Sequence, residues 1–405
     1  MKLFPFKALM PAKGFESQVS ANTHLDDIER QMEIVQQNSQ SYLRVVKPHL
    51  IFNEAKNPEK HFPVAKQEID KLIQSKALIK DSQNSLYIYR QFNTLNGDDF
   101  VGIIALVSVD DYYNGKIKIH ENTLTEKEEQ LIDHIDHSGV IGEPVLMTHL
   151  ESSKIVDVLN RFEKSEHLLI DFEDEFGKKH TIYQISSPED LNEINKVYHE
   201  LDCLYIADGH HRSAASAGFY KRHQIENGKY LSYIVPPNFL KIDSFHRAYK
   251  CSQDFVPSNI LIQLSKMFHV DEVFLPFKPH KDKEFGLYIK DQWYKLSFKG
   301  EFNHLNAVDI LDVSILEEHV FKNILNITDS KVDAQLTFMN GAIPLNQIVE
   351  KVNEGVYDMV FTVFPCEIQQ VFDVADAQLI MPPKSTFIEP KLRTGLIVQE
   401  VRMIE

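Results

Sequence analysis

Cysteine is scarce in this chain: Cys203, Cys251 and Cys366 are the only three in 405 residues, far apart and without a CxxC pair. That excludes a disulfide framework or a Cys-rich zinc site and fits a reducing compartment. Glycine is scarce too, at 15 residues. The patterns that depend on it, GxxxxGK[ST], GxGxxG and GxSxG, are absent, as is a kinase catalytic loop, which sets aside the usual nucleotide folds. Long apolar runs are missing. The longest, Phe100 to Val109, falls well short of the roughly 20 residues that cross a bilayer. The opening MKLFPF has no signal-peptide core or small-residue cleavage pattern, so the expectation is a cytoplasmic protein with no membrane partner. Positive charge is in deficit, 43 Lys and Arg against 59 Asp and Glu, for a net charge of -16. Such a field repels a phosphate backbone and argues against nucleic acid as a partner.

What the chain does have is apolar and aromatic mass: 43% hydrophobic residues, 26 Phe and 15 Tyr, the profile of a folded globular protein. Its length predicts two or three packed regions, expected at 1–150, 151–255 and 256–405. Helical spacing is read in the first half of 25–47, near 64–77, over 124–138 and 151–165, and from Ser187-Pro188 to about residue 200. Two β-prone runs, 85–92 and 100–107, flank Leu95-Asn96-Gly97-Asp98-Asp99 and predict a hairpin. Further strands are expected at 167–172, 179–185, 203–207, 230–235, 359–364 and 396–402, with an apolar helix at 312–325. The fold class is α/β (α+β), with mixed sheets and flanking helices.

The segment with the most chemistry is Asp208-Gly209-His210-His211-Arg212, between the apolar run Cys203–Ala207 and the small-residue helix start Ser213–Ala217. A strand, a tight turn and a helix hold anions well, because free amides and the positive helix end point the same way. Gly209 permits close backbone approach, His210, His211 and Arg212 add donors, and Asp208 can bind a metal or take a proton. The same residues also read as an ordinary capped helix start, with Asp208 as cap.

Lys116-Ile117-Lys118-Ile119-His120-Glu121-Asn122-Thr123, if extended, sets Lys116, Lys118 and His120 on one side. His120 and Glu121 then offer an acid–base pair or divalent-ion ligands, the alternative being a solvated edge strand. His134 and His137 share a helical face and suit a metal pair with His120 or His149, although a solvated amphipathic helix explains them as well. His246-Arg247 and Lys384-Ser385-Thr386 each combine cations with hydroxyls of the kind that hold phosphate or carboxylate, or else form a surface turn and a proline-stiffened connection.

YIADGHHRSAA (205–215), FPFKALMP near the start, SYLRVVKP (41–48), LYIYRQF, SVDDYYNGKIKIHENT (108–123), LDVSILEEHV (311–320) and MPPKSTFIEPKLRTGL (381–396) together resemble the bacterial and archaeal family called domain of unknown function 1015, nearly end to end. The DGHHR string alone is similar to the motif of free serine kinases with a ParB/sulfiredoxin-like fold, in which that turn lies against nucleotide phosphates. This resemblance implies a nucleotide-binding core around the turn. It also implies phosphoryl transfer between a nucleotide, ATP or ADP, and a small hydroxy amino acid, serine or phosphoserine, in either direction. Arg212, His210 and His211 would neutralise phosphate charge. Asp208 or Glu121 would hold Mg2+ or orient the hydroxyl, and Lys384 would clamp the substrate. Gly209, His246, Arg247, Ser385 and Thr386 complete the implied binding set, and a homo-oligomer stays open. The chain departs from the family pattern near 18–26, where VSANTHLDD replaces a proline-tyrosine-aspartate stretch, and at Gln130-Leu131, which replaces an acidic-arginine pair. A non-catalytic phosphate- or nucleotide-binding regulator and a divergent inactive member therefore remain alternatives, while a ParB-like DNA-associated protein is opposed by the acidic charge.

Overall fold

The computed structural model describes residues 1–23, 27–54, 58–251, 256–301 and 306–401. They form two compact units, Met1–Leu240 with Pro390–Glu405, and Lys241–Glu389, where the sequence reading has three regions. The first unit is built on an eight-stranded sheet. Its strands in chain order are β1 (Leu86–Asn93), β2 (Asp99–Ser108), β3 (Ile117–Lys118), β4 (Val145–Thr148), β5 (Leu168–Glu173), β6 (Lys178–Ile185), β7 (Leu204–Asp208) and β8 (Lys229–Ile234). Their spatial order is β3-β7-β4-β8-β2-β1-β6-β5. Pairing is antiparallel except between β7 and β3 and between β8 and β4, so the sheet is mixed, as the fold class predicts. The hairpin forms as expected, with Tyr87 opposite Ile104. β2 is buried along nearly its whole length, which is why it reads as a continuous apolar run and not as an alternation.

The helices begin and end where side-chain chemistry dictates. Asp27 caps α1 (Ile28–Gln37) by accepting from the Arg30 amide at 3.1 Å. Pro63 stands in the first turn of α2 (Phe62–Gln74). In α3 (Thr125–Ser138), Glu126 and Glu128 open the helix, His137 closes it, and left-handed Gly139 (φ 72°) ends it, each matching the helix dipole or the C-terminal turn. α4 (Ser153–Phe162) and α5 (Pro188–Tyr198) follow, α5 capped by Ser187. The helix after the DGHHR segment, α6 (His210–Arg222), packs on α3, which in turn packs on α2.

The end of the chain returns to this unit. Ala21–Asn22 pairs with Arg393–Thr394, and Gln399–Glu400 with Val140–Ile141. The expected strand 396–402 thus shrinks to Gln399–Glu400 with Val398 bridging Leu9 beside it, and its last position lies outside the described residues. Arg393 is buried and donates to Ser20 Oγ (3.0 Å), to the Ser20 carbonyl (2.7 Å) and to Asp174 (3.1 Å). Asp174 also accepts from His180 at 3.0 Å, and His180 Nδ1 meets the Tyr89 hydroxyl at 2.8 Å.

The second unit carries an antiparallel six-stranded sheet: β9 (Phe245–Tyr249), β10 (Phe268–Val273), β11 (Glu284–Ile289), β12 (Gln292–Phe298), β13 (Leu336–Asn340) and β14 (Met359–Val363), ordered β10-β12-β11-β14-β9-β13. Period-2 alternation divides its residues between two cores. Phe285, Leu287, Phe361 and Val363 pack with Leu316, Phe321 and Val371, whereas Tyr288 and Val360 pack with Ile348 and Val352. The helix expected at 312–325 is α-helical over Asp312–Leu316 and continues with wider π-type turns over Glu317–Lys322. Among the described residues no helix is long and apolar enough to cross a membrane.

Burial pushes several histidines below their ordinary pKa: His120 and His246 to about 4 and about 3, and His134, His149 and His180 in the same direction. Each is neutral when folded and binds a proton when unfolded, so the unfolded state takes up more protons as pH falls below the ordinary value. Stability is therefore expected to fall from about pH 6.5 toward pH 4, with His120 and His246 each adding a limiting slope of about 1.4 kcal/mol per pH unit and the other three acting in the same direction. Urea midpoints between pH 8 and pH 4 check this; a flat profile across that range contradicts it.

Candidate functional site

The apolar residues of β7, Leu204 to Ala207, are buried between β3 and β4 and carry Asp208 to the end of the sheet. Gly209 then takes a left-handed conformation (φ 95°, ψ 34°), and α6 begins at once with His210. The turn expected over five residues is thus a single glycine, and both histidines and Arg212 stand in the first helical turn. The N-cap residue, Gly209, has no side chain with which to cap α6, and the first backbone bond into the helix runs from the Ser213 amide to the Gly209 carbonyl at 2.9 Å. The amides before Ser213 have no acceptor within the helix, which is the arrangement that takes an anion. A Cβ on Gly209 would lie 2.8 Å from the Arg212 guanidinium, so this position needs glycine for its conformation and for its space.

The segment read as a strand over Lys116 to Thr123 pairs only at Ile117–Lys118. Beyond it, the His120 amide donates to His210 Nε2 at 3.3 Å in place of a strand partner, and the two rings meet edge to face at 4.4 Å between centroids. Lys116, Lys118 and His120 therefore do not share one strand face. Because His210 Nε2 accepts, the neutral ring carries its proton on Nδ1, 3.7 Å from the Glu121 carboxylate. Burial, then the neighbouring His120, drives His210 well below its ordinary pKa. His210 is thus a neutral hydrogen-bonding group at pH 7 and not the cationic donor expected from its residue type. His120, likewise lowered by burial, has an Nδ1 with no partner among the described residues. His211 Nε2 accepts from the Leu124 amide at 3.1 Å and so ties α6 to the start of α3.

Arg212 is fixed at several points. It contacts the Glu143 carboxylate, donates to the Pro144 carbonyl at 2.9 Å, and lies 3.2 Å from Asp208. Lys391 reaches the same Asp208 oxygen at 3.4 Å. Residue-type reasoning missed Lys391 and Glu143. Lys391 stands in the PKLRTGL string, where a lysine stiffened by the preceding proline is the signal that points to it. Asp208 thus already faces two cations. No group of three or more His, Cys, Asp or Glu residues is placed to hold a metal among the described residues. Asp208 and Glu121 remain as two carboxylates that suit magnesium only with phosphate oxygens and water completing its shell.

His211 and Arg212 also line a cavity of about 510 Å3, with Lys47, Lys127, Tyr42 and Phe62 among its walls. Thr23, Gln130 and Leu131 line it as well, so both departures from the family pattern border the same space; residues 24–26 lie outside the described residues. The other candidate histidines belong to no metal-holding group among the described residues: His134 donates to the Val45 carbonyl (2.8 Å), His137 to the Asp133 carbonyl (2.7 Å) and His149 to the Leu150 carbonyl (2.6 Å).

His246, Arg247, Lys384, Ser385 and Thr386 belong to the second unit. His246 and Arg247 are buried on β9, not in a surface turn. His246 accepts from the Val363 amide at 3.3 Å. Arg247 donates to the Phe245 carbonyl and, at 3.1 Å, to that of Lys384, and its guanidinium lies 5.1 Å from the Phe338 ring. Burial lowers its pKa to about 10. Lys384 is left-handed (φ 53°) with its ammonium over the Phe245 ring, and Ser385 bonds the Pro382 carbonyl at 2.6 Å. Thr386 is half-buried.

Residues 3–314 match the model of the family described as "Protein of unknown function (DUF1015)". The chain belongs to this family. No curated protein matches it in sequence. Among solved structures, this DUF1015 protein is similar to a free serine kinase in complex with AMP, at 14% identity over 71% of this chain and 88% of that one, with a TM-score of 0.37. A free serine kinase variant in complex with ADP gives 13%, the same coverages and 0.38. A conserved hypothetical protein from Pyrococcus furiosus gives 15%, 71% and 90%, and 0.35. Scores this low fix neither a shared site nor a shared ligand.

Proposed function

We propose that the DUF1015 protein binds the phosphates of ATP or ADP at the start of α6 and moves a phosphoryl group between that nucleotide and the hydroxyl of a small amino acid, serine or phosphoserine. The observation that carries this reading is the first turn of α6, whose N-cap is a glycine and whose first backbone bond begins only at Ser213. It follows Gly209 directly and is flanked by Arg212, Lys391, Asp208 and Glu121. The amides would donate to the phosphate oxygens, and Arg212 and Lys391 would oppose the charge that spreads over them during transfer. Glu121, 44% exposed, is the group able to reach a substrate, and neutral His210 presents Nδ1–H toward it. In the direction of serine phosphorylation, the hydroxyl oxygen bonds to phosphorus, the bond from phosphorus to the nucleotide oxygen breaks, and the hydroxyl proton passes to Glu121. Magnesium, when bound, would neutralise phosphate charge beside Asp208 and Glu121.

A second reading, a nucleotide-binding regulator without turnover, is favoured by the ion pairs that already occupy Arg212 and Asp208. Phosphorus NMR of the full chain with serine and Mg-ATP or Mg-ADP, and with phosphoserine and the lower nucleotide, separates the two. The wild type is expected to interconvert serine and phosphoserine. Glu121→Gln should slow this about 100-fold, in the range of a lost general base, while nucleotide affinity stays within about threefold. Nucleotide binding with no turnover in either direction supports the regulator, and a Glu121→Gln variant of full activity removes Glu121 from the chemistry.

A further inference from the structure

The cavity beside α6 is not explained by phosphate or by a three-carbon amino acid. At about 510 Å3 it falls among small-molecule sites, roughly 300–1,000 Å3. Val46, Phe62, Leu131, Ile135 and Ile141 give it apolar walls, while His211, Arg212, Lys47 and Lys127 stand among its polar residues. Two buried polar atoms on lining residues, the Tyr42 hydroxyl and His49 Nδ1, have no hydrogen-bond partner among the described residues. An unsatisfied buried hydroxyl is costly, and Tyr42 is placed at further constraint. A Cβ on Gly142 would come within 2.4 Å of its hydroxyl, and one on Gly395 within 2.4 Å of its ring. Two glycines thus clear the space that Tyr42, itself wholly buried, occupies in the wall.

We infer that this cavity receives the heteroaromatic base of a nucleotide whose phosphates lie at the first turn of α6, an inference that rests on the nucleotide reading above. A flat base fills apolar walls and brings ring nitrogens that accept from a tyrosine hydroxyl after a small shift of the wall. A hydrocarbon chain of the same volume would leave Tyr42 and His49 unsatisfied. Arg212 and His211 line the cavity and also belong to the first turn of α6, so one ligand spans both places.

Calorimetric titration of the full chain with Mg-ADP and with inorganic pyrophosphate tests this, using the wild type, Leu131→Trp and Tyr42→Phe. The wild type is expected to bind ADP well above pyrophosphate. Leu131→Trp, which fills the cavity from partly exposed α3, should weaken ADP by at least about tenfold and leave pyrophosphate unchanged. Tyr42→Phe should weaken ADP several-fold without lowering thermal stability, because it removes an unsatisfied hydroxyl. It carries the test if Leu131→Trp does not fold. A folded Leu131→Trp that keeps ADP affinity, or loses both ligands equally, overturns the inference. Pyrophosphate bound as tightly as ADP overturns it while sparing the anion site, and failure of the wild type to bind either ligand removes the phosphotransferase reading as well.

Discussion

Gly209→Ala is expected to lower nucleotide affinity about 100-fold, the equivalent of one or two charge-assisted hydrogen bonds, and to lower stability by about 1–2 kcal/mol through its left-handed backbone. The φ of 95° disfavours any L side chain, and the new methyl would meet the Arg212 guanidinium at 2.8 Å. An exposed arginine would swing aside. This one is held by Glu143, Pro144 and Asp208, so either those contacts break or the first turn of α6 shifts, and both disturb the amides that would hold phosphate. Gly97→Ala is the control. Gly97 has φ 80° at the hairpin tip, with nothing within 4 Å of the added methyl. It should show a similar stability loss and unchanged ligand affinity, measured by thermal denaturation and calorimetry. Equal affinity losses in the two variants would mean that general destabilisation, and not the geometry of the turn, is responsible.

Arg393→Met is expected to cost about 3–5 kcal/mol, because it strips the cation from a buried pair and leaves a charge behind. The side chains of Arg393 and Asp174 are 4% and 3% exposed. Burial alone would raise the Asp174 carboxyl, but hydrogen bonds from His180 and from the Lys178 and Phe176 amides bring it well below its ordinary value. A depressed carboxylate stabilises the fold above its unfolded pKa and loses that contribution as pH falls toward its folded one. Arg393→Met should be most damaging at neutral pH, where Asp174 is ionised and the ion pair is intact. Adding Asp174→Asn should recover part of the loss, since no buried carboxylate is then left without its cation. A double-mutant cycle by urea denaturation reads the coupling directly. Additive losses in that cycle would show that Arg393 acts through Ser20 and packing alone.

Local chemistry made much of the first unit legible in the sequence. The hairpin at 86–108, the Ser187–Pro188 helix start and the buried strand before Asp208 rest on turn residues, caps and continuous apolar runs that act over a few neighbours. The family was legible as well, from strings spread along most of the chain. The site was legible only in part. DGHHR announces a helix start, but nothing local says that one glycine makes the whole turn, or that His210 is buried deeply enough to be neutral. The alternation of lysine, isoleucine and histidine puts His120 on a strand face, but its amide bonds His210 instead and the strand ends at Lys118. Lys391 comes from a segment more than a hundred residues downstream, a long-range contact that spacing does not encode. Arg247 reads from its residue type as a phosphate-holding cation or else as part of a surface turn, yet it lies inside a sheet, its charge delocalised over a planar group that two carbonyls and a phenyl ring can hold.

The central claim is that nucleotide phosphates meet the first turn of α6. Amide chemical-shift mapping of the full-length, isotope-labelled protein during addition of Mg-ADP tests it most directly. The account predicts saturable binding with the largest shifts at Gly209, His210, His211 and Arg212, followed by residues lining the adjoining cavity. Saturable binding that leaves those four amides unmoved, or no binding at millimolar ADP, would contradict it.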